Sequence, residues 1–88
     1  MSKPEEDHKI SPEDHVLYTM HNLCATKPET SKTLDDIASI LKMEIKNLKT
    51  ILKQLTSEGY IKTIIEKDVE LKYHLSGRGI IRVCSTFT

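Results

Sequence analysis

Apolar residues recur along this chain with two different periods, and the change from one to the other falls at Gly59. Before it the spacing is helical. Val16, Leu17, Met20, Leu23 and Cys24 share one face of a segment beginning at Ser11-Pro12-Glu13-Asp14. There a Ser N-cap, a Pro at the first helical position and a carboxylate two residues later mark a helix start. That first helix is expected to run to about Ala25, with Tyr18 pointing away from its apolar face. Thr26 to Lys32 contains no apolar residue and reads as a loop. Thr33 and Asp36 form a second capping pair, and Leu34, Ile37, Ala38, Ile40 and Leu41 predict a helix of about nine residues. Lys42 and Met43 leave only a tight turn before a third helix over residues 44–58, whose stripe is Ile45, Leu48, Ile51, Leu52 and Leu55. Gly59 closes it as a residue that enters the left-handed region without steric cost.

After Gly59 the period is two. Residues 60–65 are rich in β-formers, and Val69, Leu71, Tyr73 and Leu75 alternate with Glu70, Lys72 and His74. Glu66, Lys67 and Asp68 suit the turn of a hairpin with one buried face. Ser76, Gly77, Arg78 and Gly79 interrupt, and Ile80, Ile81, Val83, Cys84 and Phe87 return to helical spacing in a short final segment. The fold class is therefore α+β and mostly helical: three helices, a two-stranded hairpin and a short C-terminal helix. Residues 1–9, polar and without periodicity, read as a disordered tail ahead of one domain over residues 10–88.

A chain of 88 residues with no Trp and one Phe has a small aliphatic core. A domain of this size buries only about 60% of the surface its unfolded chain exposes, so support from a second subunit is expected. No apolar run is long enough to span a membrane, and the polar, acidic N-terminus is no signal peptide, so an intracellular location is expected. Net charge is zero, but it is unevenly spread. Residues 1–36 carry four Lys against eight acids, and residues 37–88 carry nine Lys or Arg against five. The basic half contains the third helix, on which Lys46, Lys49 and Lys53 fall within an arc of roughly 60° opposite the apolar stripe. Thr50 and Ser57 lie beside them, and Glu44 and Glu58 project from another flank. One buried stripe and one basic stripe let a helix sit on a core while its outer face meets an anionic surface. The plainer alternative is a solvated lysine face.

The matching segments are Leu34 to Leu41, then Leu48 to Ile61 with Gly59 near its end. After the hairpin follow Tyr73, Leu75, Ser76 and Gly79. In this order and spacing they resemble the winged helix-turn-helix domain of MarR- and ArsR-like transcription regulators, over about residues 11–85. The resemblance implies double-stranded DNA as partner, with the third helix in the major groove and the hairpin, or wing, on the adjacent backbone. It implies Lys46, Asn47, Lys49, Thr50 and Lys53 as DNA contacts, with Lys62 and Lys72 as secondary phosphate contacts. Lysines suit phosphates as point charges, and Asn can pair bidentately with adenine. A homodimer through the first helix and the C-terminal segment is expected, in the cytoplasm or on the nucleoid. Three departures stand out: Lys42 occupies the turn where Gly is common, the C-terminal segment is shorter than the long dimerisation helix of MarR-like proteins, and the wing tip, residues 66–70, is net negative. The acidic wing tip, with zero net charge, keeps open an alternative, a winged helix serving as a protein-interaction module in a transcription or replication assembly.

Other chemistry is poorly supported. Cys24 and Cys84 read as small buried hydrophobes, with a bridge between subunits through Cys84 as the lesser alternative. His21 and Cys24 are one turn apart, but no Cys-x-x-Cys accompanies them, and no metal or other cofactor is expected. Asp35 and Asp36 complement a helix dipole, and no Gly-rich phosphate loop precedes a helix, so no enzyme activity is expected.

Overall fold

The computed structural model describes residues 10–66 and 70–87. Its elements are α1 (Pro12–Asn22), a 3-10 turn (Pro28–Thr30), β1 (Lys32–Thr33), α2 (Leu34–Leu41), α3 (Ile45–Ser57), β2 (Ile61–Glu66), β3 (Glu70–Leu75) and α4 (Gly77–Phe87). The tail at residues 1–9 and, within the acidic wing tip, residues 67–69 lie outside the described residues.

Both expected caps form. The Ser11 hydroxyl oxygen accepts the Asp14 N–H at 3.1 Å, and that of Thr33 accepts the Asp36 N–H at 3.1 Å. Three helices end on a left-handed residue: Cys24 (φ 60°) after α1, Lys42 (φ 55°) after α2, and Gly59 (φ 86°) after α3. At Gly59 the closure is complete. Its N–H donates to the Thr56 carbonyl (3.1 Å), and the Tyr60 N–H donates to that of Leu55 (3.0 Å). Only there is the residue suited to its conformation. Lys42 is exposed and carries a Cβ into a region that costs an ordinary residue about 1–2 kcal/mol. The added freedom of an unfolded Gly offsets part of that gain. Lys42→Gly is therefore expected to stabilise the fold by about 0.5–1 kcal/mol, read as a raised denaturant midpoint at unchanged slope.

The sheet differs from the expected two-stranded hairpin. It has three antiparallel strands in the order β1-β3-β2, because Lys32 and Thr33 pair with Tyr73 and Lys72 on the free edge of β3. In the hairpin Ile61 faces Leu75, Thr63 faces Tyr73 and Ile65 faces Leu71. The core lies between this sheet and the helices. Val16, Leu17 and Met20 from α1, Ile37 from α2 and Leu48, Leu52 and Leu55 from α3 meet Ile61, Tyr73, Leu75 and Val83 there. Burial pushes the Tyr73 phenol pKa up.

Several placements correct the sequence expectations. α1 stops at Asn22 rather than Ala25, because the chain turns left-handed at Cys24. That turn takes Cys24 out of the core, and Cys84 lies on the outer side of α4, so both cysteines are exposed. Ile45, the first residue of α3, stays 42% exposed, and Ile40 and Leu71 are similarly open. His74, expected on the solvated face of the hairpin, is buried, with its Nδ1 3.0 Å from the Leu75 carbonyl oxygen.

α4 begins at once after β3, with no intervening loop. Ser76 caps it: its hydroxyl oxygen accepts the Gly79 N–H (3.0 Å) and its hydroxyl donates to the Gly59 carbonyl (2.6 Å). α4 is also tied to α1 by Arg82, whose Nε donates to an Asp14 carboxylate oxygen at 2.9 Å. The guanidinium groups of Arg78 and Arg82 lie 4.7 and 4.8 Å from the Tyr60 ring centroid. The hydrogen bond to Asp14 raises the Arg82 pKa above its ordinary value, so the guanidinium stays charged throughout the usable pH range.

Candidate nucleic-acid interface

Burial of Leu48, Leu52 and Leu55 on the core fixes the rotation of α3, and that rotation alone decides which residues look outward. Lys46, Asn47, Lys49, Thr50 and Lys53 are all exposed along its outer side. Thr50 donates its hydroxyl back to the Lys46 carbonyl at 3.2 Å, so what it offers a partner is a lone pair. At the start of α3 the Asn47 amide Nδ2 donates to the Glu44 carboxylate at 3.4 Å. No other acid is present on the first two turns of α3, so the outward surface between Lys46 and Lys53 is cationic.

Two shallow grooves flank the helix. On one side Lys49, Lys53 and Thr56 face the hairpin residues Thr63, Leu71 and Tyr73 across a groove of about 410 Å³. On the other, Asn47, Thr50 and Ile51 face Pro12, Glu13 and Met43 across a second of about 410 Å³. α3 therefore stands proud between the hairpin and the start of α1, as a ridge able to enter a groove.

Lys62 and Lys72 are not part of this surface. Lys62 stands opposite His74 and Lys72 opposite Ile64, so both belong to the sheet face that looks away from α3. Lys62 is exposed near the base of the hairpin, and Lys72 is half-buried. Glu44 is the contributor that sequence reasoning missed. Its three-residue spacing from Asn47 was the available signal, since side chains at i and i+3 meet on a helix.

α1 and α4 pack together, and Tyr18 on α1 and Ile81 on α4 are 37% and 66% exposed. Among the described residues, no group of three or more His, Cys, Asp or Glu comes together as a metal site, and no helix is long and apolar enough to cross a membrane.

No protein-family model matches the chain, and no curated protein matches its sequence. Solved structures do match its fold. The chain is similar to Staphylococcus aureus MepR in a MepR–DNA complex, with a TM-score of 0.73 at 18% identity over 93% of this chain and 57% of that one. It is similar to a cysteine-to-serine mutant of Escherichia coli MarR, with a TM-score of 0.73 at 17% identity over 92% of this chain and 57% of that one. A Ralstonia eutropha protein named for a suspected role in DNA binding matches with a TM-score of 0.73 at 20% identity, over 91% of this chain and 100% of that one. The chain thus spans 57% of the MepR and MarR chains and the whole of the third. Its fold is the MarR-like winged helix-turn-helix.

Proposed function

We propose that this protein is a transcription regulator that binds double-stranded DNA sequence-specifically, with α3 in the major groove. The observation that carries the reading is the outward row of Lys46, Lys49 and Lys53 on the second helix of the helix-turn-helix, raised between the hairpin and α1. Lysines at that spacing meet successive phosphates along one groove wall, while the first turn of such a helix meets base edges. MepR, whose fold this chain shares, binds DNA in its complex and regulates a multidrug efflux pump. Lys62 and Lys72 are left out of the proposed contact, because they face away from α3.

The active form is proposed to be a homodimer in the cytoplasm or on the nucleoid. Ile81 and Tyr18 supply exposed apolar side chains on the packed pair α4 and α1, where two copies could join and present both α3 helices to one duplex. Binding of a mixed-sequence duplex at low salt tests the reading, with sedimentation at tens of micromolar to test the dimer. Saturable binding by a dimer supports it. Absence of binding removes it, and a monomer removes the dimer.

A second reading, a winged helix that docks another protein, draws on Ile65 and Leu71. They face each other across the hairpin, 67% and 42% exposed, beside the groove at Lys49 and Lys53. An exposed apolar strip of this kind is more usual at a protein contact than at a phosphate surface. No duplex binding by a folded protein would turn the search to that groove.

A further inference from the structure

We propose that Glu44 is a positioning residue for base readout, holding the Asn47 side-chain amide in the one orientation that matches the major-groove edge of adenine. The inference rests on the placement of α3 in the major groove proposed above.

Glu44 is the N-cap residue of α3, with extended backbone (φ −62°, ψ 139°), yet its side chain makes no capping hydrogen bond. Its carboxylate instead accepts from Asn47 Nδ2 at 3.4 Å. An ionised carboxylate can only accept, so it selects the amide nitrogen and repels the amide oxygen. That choice settles which way the amide is turned. One of the two Nδ2 hydrogens is occupied by Glu44. The other Nδ2 hydrogen and the Oδ1 lone pairs are left available as a donor and an acceptor on one amide. Adenine presents the complement in the major groove: N7 accepts and the N6 amino group donates. Guanine presents two acceptors there and would set its O6 against Oδ1.

The surroundings leave this task to Asn47. Thr50 has turned its hydroxyl hydrogen to the Lys46 carbonyl, so it can only accept. Lys46 and Lys49 are donors only and suit phosphates. Gln54 is tied to Glu58 at 3.4 Å, but at the C-terminal end of α3, away from the turn that meets bases. Glu44 itself is repelled by phosphate. An acid at the leading end of a cationic helix therefore adds discrimination rather than affinity, and it is tolerated there by the helix dipole.

The test is selection from a duplex pool randomised across the half-site, with wild type, Asn47→Ala, Glu44→Ala and Glu44→Gln. Both side chains are exposed, so all four proteins are expected to fold, as circular dichroism would check. Wild type should prefer adenine at one position of each half-site by about tenfold to a hundredfold, the range for a bidentate pair. Asn47→Ala should lose that preference. Glu44→Ala should reduce it to within about threefold, with no loss in the salt slope of non-specific binding, because an acid and not a cation has gone. Glu44→Gln carries a donor as well as an acceptor, can pair with either end of the Asn47 amide, and should keep only part of the preference. A Glu44→Ala protein with the wild-type preference overturns the inference, as does a wild type that binds duplex without any adenine preference. A wild type that binds no duplex overturns the DNA reading on which it rests, before any variant is compared.

Discussion

Gly79→Ala is expected to destabilise the protein by about 2–3 kcal/mol, although Ala is the better helix former by about 1 kcal/mol. Gly79 lies in the first turn of α4, where a Cβ would collide with the Tyr60 carbonyl oxygen and crowd Leu75 Cδ2 at 3.2 Å. Tyr60 cannot retreat cheaply. Its carbonyl accepts the Ser76 N–H at 3.0 Å, and Ser76 in turn holds both the Gly79 N–H and the Gly59 carbonyl. The collision therefore works against the cap of α4 and the close of α3 together. For a domain of this size the melting temperature should fall by roughly 10–20 °C. Gly77 is the control: a Cβ there meets nothing within 4 Å, so Gly77→Ala should leave stability unchanged or slightly raised. Equal effects at the two glycines would remove the close-approach explanation.

How far such features could be read beforehand varies with their physical origin. The helices of the helix-turn-helix and their caps were legible, because Ser11, Thr33 and Gly59 each have a local reason to be where they are. The second glycine of the Ser76–Gly79 run was legible only as a break in pattern. What makes it necessary is the Tyr60 backbone, nineteen residues earlier and brought close by the hairpin. β1 was not legible at all: two residues in a polar loop carry no alternation, and their pairing is a property of the β3 edge. The inward turn of α3 placed its lysines correctly from periodicity alone. Lys62 and Lys72 share one face only through the strand register, and the sequence could not say that α3 packs over the other. The Glu44–Asn47 contact escaped for a similar reason, since a helical projection gives directions and omits the meeting of neighbours along the axis.

Lys46→Ala/Lys49→Ala/Lys53→Ala is expected to have the largest effect on binding and little on stability. All three side chains are exposed, and surface substitutions of this kind usually change stability by less than about 0.5 kcal/mol each. On duplex DNA each lysine that neutralises a phosphate releases condensed counterions, contributing about 0.9 to the slope of log K against log salt. Removing three should flatten the slope by up to about 2.7. Between 50 and 200 mM salt the wild type should then lose roughly fortyfold more affinity than the variant. Lys62→Ala/Lys72→Ala, on the sheet face away from α3, should change the slope far less.

The anisotropy of a labelled mixed-sequence duplex, followed across that salt series for wild type and the triple variant, shows whether the lysine face of α3 meets DNA. Wild type should bind saturably and weaken steeply with salt, and the variant should keep a native fold with the flattened slope. Binding with equal slopes in the two proteins, or none by a folded wild type at low salt, would contradict that contact.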